Sequence, residues 1–375
     1  MISLDQTKSI LGHIAQNLPH SLRSGVHMSL ERTGDYSEAL GIAKQRVLAL
    51  FFETTDFCNA RCVMCGAKHM RRKRQIMPMD IYQMAIEQFV QAKGHSAMLS
   101  AFGEPLLDPH IVERVAFAKS FSTIGNIGFS TNGSLLTPDK YCALAEAGLT
   151  SLSISIDGFS RETYERVRVG LSFGTLLSNM SKVLATHEAM GRPITISVSS
   201  FATEKRQNLA LSPLYNAFLQ AGITPGIKWR VDNWGGLVSD VSYGLHLRRA
   251  VRHHGPCALL YDAQVLVLPD GRVTPCHCRD LEGGLFIGDI SKNSLLEIWS
   301  GELLEGLRNE QLAGKFRPPC DSCSAYIPLR FWFTRSMTRW IVAYDGRVPM
   351  TGKNLQPIDY HEVATPLPKN SLSTK

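Results

Sequence analysis

The chain has 375 residues, 44% of them hydrophobic and 19% charged, and its 40 basic and 33 acidic side chains give a net charge of +7. That balance excludes a disordered or fibrous chain, and the length predicts two domains, one large and one small. No apolar run is long enough for a transmembrane helix, the first residues lack a secretory signal pattern, and the mild charge with no RNA-binding module argues against a nucleic-acid partner.

Residues 1–44 mix polar and apolar positions and read as an N-terminal extension without repeats. From residue 45 the chain alternates strand, loop and helix. Strands are predicted at 47–54, 97–102, 126–131, 151–156, 194–200 and 227–231, and helices near 79–93, 109–120, 138–147, 172–190 and 206–221. Pro138 suits a first helical turn after Thr137, and Gly148 and Gly222 sit where C-caps belong. Alternating strands and helices predict a parallel α/β sheet. In Ser151-Leu152-Ser153-Ile154-Ser155-Ile156 and in Ile194-Thr195-Ile196-Ser197-Val198-Ser199, apolar and hydroxyl residues alternate strictly. A parallel sheet buried on both faces would read as continuous apolar runs. The alternation instead predicts a curved, partly open barrel with a polar interior and its site at the C-terminal strand ends. After residue 245 the rhythm breaks. Val265–Leu268, Asp270-Gly271 and Arg272-Val273-Thr274 read as a β-hairpin, with a helix near 293–308 and a Pro-containing tail from about 345. The expected domains are therefore 1–44, 45–245, 246–330 and 331–375.

The nine cysteines stand at 58, 62, 65, 142, 257, 276, 278, 320 and 323. An odd number of clustered thiols in a chain this long indicates metal binding in a reducing compartment, here the cytoplasm, rather than disulfides. Cys142 lies within a predicted helix and reads as a buried core thiol. Cys58, Cys62 and Cys65 follow the first strand on a loop. Three thiolates suit an iron–sulfur cluster with one open iron, whereas structural zinc wants four ligands, for which His69 is the nearest further candidate.

C-x3-C-x2-C after the first strand of a βα barrel resembles the radical S-adenosylmethionine (SAM) superfamily. Further matches come in order: Phe102-Gly103-Glu104-Pro105 where the family has Gly-Gly-Glu-Pro, Ser130-Thr131-Asn132-Gly133 ending the third strand, Ser155-Ile156-Asp157-Gly158 ending the fourth, then Thr163-Tyr164-Glu165-Arg166-Val167-Arg168. The resemblance implies a partial (β/α)6 TIM-like barrel in which Cys58, Cys62 and Cys65 hold a [4Fe–4S] cluster. It implies SAM on the open iron, and hydrogen abstraction from a substrate C–H bond by the 5′-deoxyadenosyl radical. By position, the backbone around Gly103 and Glu104 is expected at the methionine amine, Ser130 and Ser155 at the ribose or carboxylate, and Arg168 at the carboxylate. Asn132 and Asp157 would line the same ligand, although both are also ordinary turn residues.

Cys257, Cys276, Cys320 and Cys323 resemble the ligands of a short SPASM-type extension, a small β-hairpin and helix domain with one auxiliary [4Fe–4S] cluster. Gly288-Asp289-Ile290 and Ile298-Trp299 also stand where that extension has them. Four thiolates suit zinc as well, and Cys278 is an alternative to Cys276, with His277 behind it. The segment from Lys68 to Arg74 reads as a solvated basic loop or as a seat for an anionic substrate group. Arg330–Trp340 reads as a packed C-terminal helix or a membrane-surface contact. The resemblance further implies a flavodoxin- or ferredoxin-type electron donor. It also implies one of two substrates: a sugar- or aminocyclitol-like small molecule, preferred because little chain precedes the barrel, or a ribosomally made peptide. An iron–sulfur electron carrier without radical chemistry is the reading from another class.

Overall fold

The computed structural model describes residues 47–201, 206–228, 230–239, 241, 245–248, 253 and 255–329. The expected N-terminal extension, and the C-terminal helix and tail with the basic aromatic segment from Arg330, lie outside the described residues.

Six strands form a parallel sheet: β1 (Ala49–Phe52), β2 (Ser96–Met98), β3 (Asn126–Thr131), β4 (Ser151–Ser155), β5 (Thr195–Phe201) and β6 (Gly226–Lys228). Helices intervene: α1 (Met79–Gln91), α2 (Ile111–Lys119), α3 (Pro138–Glu146), α4 (Arg161–Val167), α5 (Phe173–Ala189), α6 (Arg206–Leu209) and α7 (Pro213–Gln220). In α1 the buried residues Tyr82, Ala85, Ile86 and Phe89 recur at helical spacing and form one stripe. That stripe packs with Leu50 and Phe52 of β1 in the main core, while Phe51 points the other way, into a smaller cluster with Phe102, Leu266 and Leu281. The alternation in β4 works the same way: Leu152 and Ile154 are buried and Ser151, Ser153 and Ser155 are half-buried.

Several boundaries differ from the sequence expectation. β2 is only three residues long, because Leu99–Phe102 already belongs to the loop that carries Gly103. The helix expected over 206–221 is two helices, broken where Ser212 caps and Pro213 starts α7. The helix expected near 293–308 is likewise α8 (Leu295–Ser300) and α9 (Glu302–Leu312), interrupted at the extended Gly301. Cys142 is half-buried on the outer side of α3, its Sγ 3.7 Å from the Met190 sulfur, not a core thiol.

The sheet does not stop at β1. β7 (Gln264–Val267) pairs parallel with β1, and β8 (Arg272–Thr274) and β9 (Gly288–Asp289) follow antiparallel, giving the order β6-β5-β4-β3-β2-β1-β7-β8-β9. The hairpin turns at Asp270-Gly271 as its sequence predicts. It extends the barrel sheet rather than standing apart, so β1, which leads to the first three cysteines, runs beside the strand that leads to the second set.

Candidate functional site

Glu53-Thr54-Thr55-Asp56 follows β1, and the loop of Cys58, Cys62 and Cys65 comes next. Two backbone bonds lace it to the end of α4: Arg61 N–H to Val169 C=O (2.8 Å) and Val63 N–H to Val167 C=O (3.0 Å). They flank Cys62 on one side and Arg168 on the other. Cys62 is buried, and burial pushes its thiol up to about 12, with the Arg168 guanidinium opposing; Cys58 and Cys65 are pushed up by burial too. Such thiols must surrender protons when they take metal.

Gly103 stands where nothing larger fits. A Cβ there would lie 2.1 Å from the Thr55 carbonyl oxygen and 2.8 Å from that of Phe57. The next residue, Glu104, donates its N–H to Phe57 C=O at 2.8 Å, so this loop seats directly on the residues that enter the cysteine loop. The buried Glu104 carboxylate accepts from Thr131 Oγ1 (2.6 Å) and Leu106 N–H (3.2 Å) at Oε1, and from Asn132 N–H (2.8 Å) at Oε2. It braces the end of β3 and keeps one lone pair on Oε2. Asn132, in turn, donates to Asn59 Oδ1 (2.9 Å), and Asn59 donates to Ser134 Oγ (2.9 Å), tying the cysteine loop to β3. Asn59 and Ser134 were not singled out from the sequence; their adjacency to Cys58 and to Asn132-Gly133 was the available signal.

Ser130 is exposed and Ser155 half-buried on the polar strand face. Asp157 and Arg168 are both buried and pair at 2.6 Å, and Asp157 Oδ1 also accepts Phe201 N–H. Gly158, with φ +123°, admits α4: a Cβ there would meet Tyr164 N at 2.7 Å. The Arg168 Nε and Tyr164 hydroxyl are buried without a hydrogen-bond partner. Two orphaned donors beside Cys62 fit an anionic ligand such as a carboxylate, because a buried unsatisfied donor is costly. The residues present thus fit SAM beside a cluster on the three thiols.

The basic segment is solvated at Lys68, His69, Arg71 and Lys73, but not at Arg72 and Arg74. Arg72 turns inward, pairing with the fully buried Glu53 and, at 2.9 Å, Asp56, while its Nε donates to Leu281 C=O. Arg74 donates to the carbonyls of Asp56 and Ala67. Burial pushes the Glu53 carboxyl up to about 8 despite Arg72. Arg72 therefore staples the segment after the first cysteine loop to the hairpin domain, and Arg74 bridges the two ends of that loop.

Cys257, Cys276, Cys278, Cys320 and Cys323 line one pocket with apolar walls that include Leu259 and Leu285. Cys257, Cys276, Cys320 and Cys323 act on one another electrostatically, with burial pushing Cys257 up to about 12 and Cys323 to about 11. Cys276 Sγ accepts Arg279 N–H at 3.3 Å, Cys257 N–H donates to Gln311, and Cys320–Ser322 forms a 3-10 turn. Cys278 also lines the pocket, and burial pushes its thiol well up, with Arg279 opposing. All nine cysteines are unpaired. Among the described residues no group of three or more His, Cys, Asp or Glu side chains is placed to hold a single metal ion; the thiols ring a pocket instead, as the corners of a cubane cluster require. His277 stacks on Phe51 with ring centres 3.9 Å apart, its Nδ1 buried and unpartnered. His69 closes the short 3-10 turn after Cys65. No described helix is long and apolar enough to cross a membrane.

Comparison with known proteins agrees with this geometry. The radical SAM superfamily model matches residues 52–188, and an iron–sulfur cluster-binding domain model, SPASM, matches 257–324; together they span just over half of the chain. A GTP 3′,8-cyclase of Limosilactobacillus fermentum is 34% identical over 137 residues, covering 36% of this chain and only 40% of that relative's length. A PqqA peptide cyclase of Rhodopseudomonas palustris is 25% identical over 329 residues, covering 79% of this chain and 83% of its own. Among solved structures, BtrN in complex with AdoMet and 2-DOIA aligns at TM-score 0.50 and 18% identity over 73% of this chain and 92% of that one. Streptococcus suis SuiB bound to precursor peptide SuiA aligns at 0.55 and 13%, over 79% and 74%. These structural likenesses concern the fold, a TIM-like α/β architecture. The chain belongs to the radical SAM superfamily and carries a SPASM-type iron–sulfur domain, with a SAM-binding [4Fe–4S] cluster, SAM and an auxiliary cluster as its cofactors.

Proposed function

We propose that Cys58, Cys62 and Cys65 hold the SAM-binding cluster, that Cys257, Cys276, Cys320 and Cys323 hold the auxiliary cluster, and that the substrate is a peptide whose C–H bond loses a hydrogen atom. When bound, the first cluster supplies the electron that splits the sulfonium C–S bond of SAM into methionine and a 5′-deoxyadenosyl radical. The chain's own residues do the rest. Arg168 and Tyr164 offer their unpartnered donors to the SAM carboxylate. Gly103 lets the Glu104 loop approach the cysteine loop, and the free lone pair of Glu104 would be available to the methionine amine. Ser130 and Ser155 offer hydroxyls on the polar face of the barrel. The apolar walls around the second thiol set exclude water from the auxiliary site, which suits it to exchange one electron with a substrate radical.

The observation that carries the peptide reading is the alignment of a PqqA peptide cyclase along 79% of the chain. It turns the preference from the small molecule expected from sequence toward the peptide alternative. The small molecule stays as the second reading because the barrel face between the strands is lined with hydroxyls, Ser130, Ser153 and Ser155 among them. The deciding experiment reconstitutes the protein anaerobically with SAM and dithionite and measures 5′-deoxyadenosine. One arm contains a short peptide encoded beside the gene, the other a panel of aminocyclitols. Stimulation by the peptide, with a matching mass change in it, supports the proposal; stimulation only by an aminocyclitol refutes it. Release of no 5′-deoxyadenosine under any condition would favour an electron carrier.

A further inference from the structure

Residues 232–236 form a strap between the two thiol sites. The Trp234 ring packs on Gly66, the residue after Cys65: a Cβ there would lie 2.7 Å from the ring. It also meets Phe102 edge-on at 6.2 Å. On the other side, Asn233 donates its side chain to Ser322 C=O (2.6 Å) and accepts Ser324 N–H (2.9 Å), while Gly235 packs on Pro319, next to Cys320. Arg279 crosses the middle. Its backbone N–H bonds Cys276 Sγ, its guanidinium lies 4.5 Å over the Trp234 ring, and its fork grips both oxygens of buried Asp232 while one arm donates to Cys278 C=O. The fork is thus occupied by the protein and is not shaped to receive substrate. A substrate clamp would leave those donors free.

A cation fixed at a cluster's edge stabilises the reduced, more negative state, and an anion does the opposite; net charge and hydrogen bonds to sulfur are the levers that set such potentials. We propose that the buried Asp232–Arg279 pair, held in place by Trp234, sets the reduction potential of the auxiliary cluster by presenting one cation and one anion of opposing effect at its edge. The charge of Arg279 acts on Cys276 and Cys323 of the second set and also on Cys65 of the first, and the charge of Asp232 acts on Cys323 in the opposite sense. Arg279 and Asp232 are positioning residues here: they act through the cluster and not on the substrate. The inference rests on assigning the auxiliary cluster to Cys257, Cys276, Cys320 and Cys323, and iron is therefore counted first.

The test uses the full-length, anaerobically reconstituted protein and its R279M, R279K and D232N variants. After the iron count, each is titrated electrochemically with detection by electron paramagnetic resonance. The signal that changes on adding SAM marks the first cluster, and the remaining signal reports the auxiliary one. R279M is expected to lower the auxiliary potential, D232N to raise it, and R279K to leave it near the starting value. Opposite shifts are a signature that a merely structural role would not give. Shifts of R279M and D232N in the same sense, or no shift in either, would overturn the proposal. So would loss of iron from both R279K and D232N, since the pair would then be scaffolding. About four irons, with zinc in the second site, would instead sink the assignment on which the inference rests.

Discussion

Replacing Gly103 by alanine tests how closely the SAM site is built. The new Cβ would lie 2.1 Å from the Thr55 carbonyl oxygen, whereas carbon–oxygen contacts settle no closer than about 3.3 Å. One backbone or the other must retreat by more than about 1 Å. The displaced segment includes Phe57, whose carbonyl accepts the Glu104 N–H at 2.8 Å and which directly precedes Cys58. Overpacking costs about 1–3 kcal/mol and a lost backbone hydrogen bond about 1 kcal/mol. Together these amount to about 2–4 kcal/mol, or about 30- to 1,000-fold in an equilibrium constant. Because the strain falls on the cysteine loop and its neighbour, it is expected in SAM affinity, measured by equilibrium dialysis, and in iron retained against a chelator. An alanine variant that binds SAM within threefold of the parent and keeps its iron would show that Gly103 is not needed for the site.

Arg168→Gln removes the buried cation beside Cys62 and one of the two orphaned donors. SAM affinity is expected to fall about 10- to 100-fold, the worth of a charged hydrogen bond, with iron content unchanged; an unchanged affinity would remove Arg168 from the site. Asn132→Ala deletes the bond to Asn59 and the two its Oδ1 accepts from Ser134, and is expected to cost about 1–2 kcal/mol, read as iron loss to a chelator accelerated beyond the fall in fold stability. His187, whose Nδ1 meets the Tyr141 hydroxyl at 2.6 Å, is held below the usual histidine range by burial and by Arg192. Its neutral form therefore stabilises the fold above the unfolded value of about 6.5, and that contribution is lost as pH falls below it. His187→Gln should flatten the decline of melting temperature between pH 7 and 5, and an equally steep decline in the variant would reject this source.

Some of this was legible in the chain because it is local. Thiol spacing, the cap at Thr137-Pro138, the Asp270-Gly271 turn and the apolar–hydroxyl alternation of β4 each reside within a few residues. What was missed depends on partners far away in sequence. Pairing of β7 with β1 joins residues more than two hundred positions apart and leaves no periodic trace. Arg72 resembles any solvated arginine until Glu53 and Asp56 are known to end buried beneath it. Trp234 gave no signal that its ring would lie between Gly66 and Arg279. Pro213 and Gly301 are ordinary helix punctuation, but the flanking apolar pattern continues through both and masks the breaks.

The proposed assignment puts two clusters on two separate sets of thiols. Iron and sulfide are best counted, after anaerobic reconstitution, in the parent chain, in a Cys58/Cys62/Cys65→Ala variant and in a Cys257/Cys276/Cys320/Cys323→Ala variant. About eight irons in the parent and about four in each variant is the predicted result. About four in the parent with zinc accompanying the second set, or an equal loss of all iron from either variant, would contradict it.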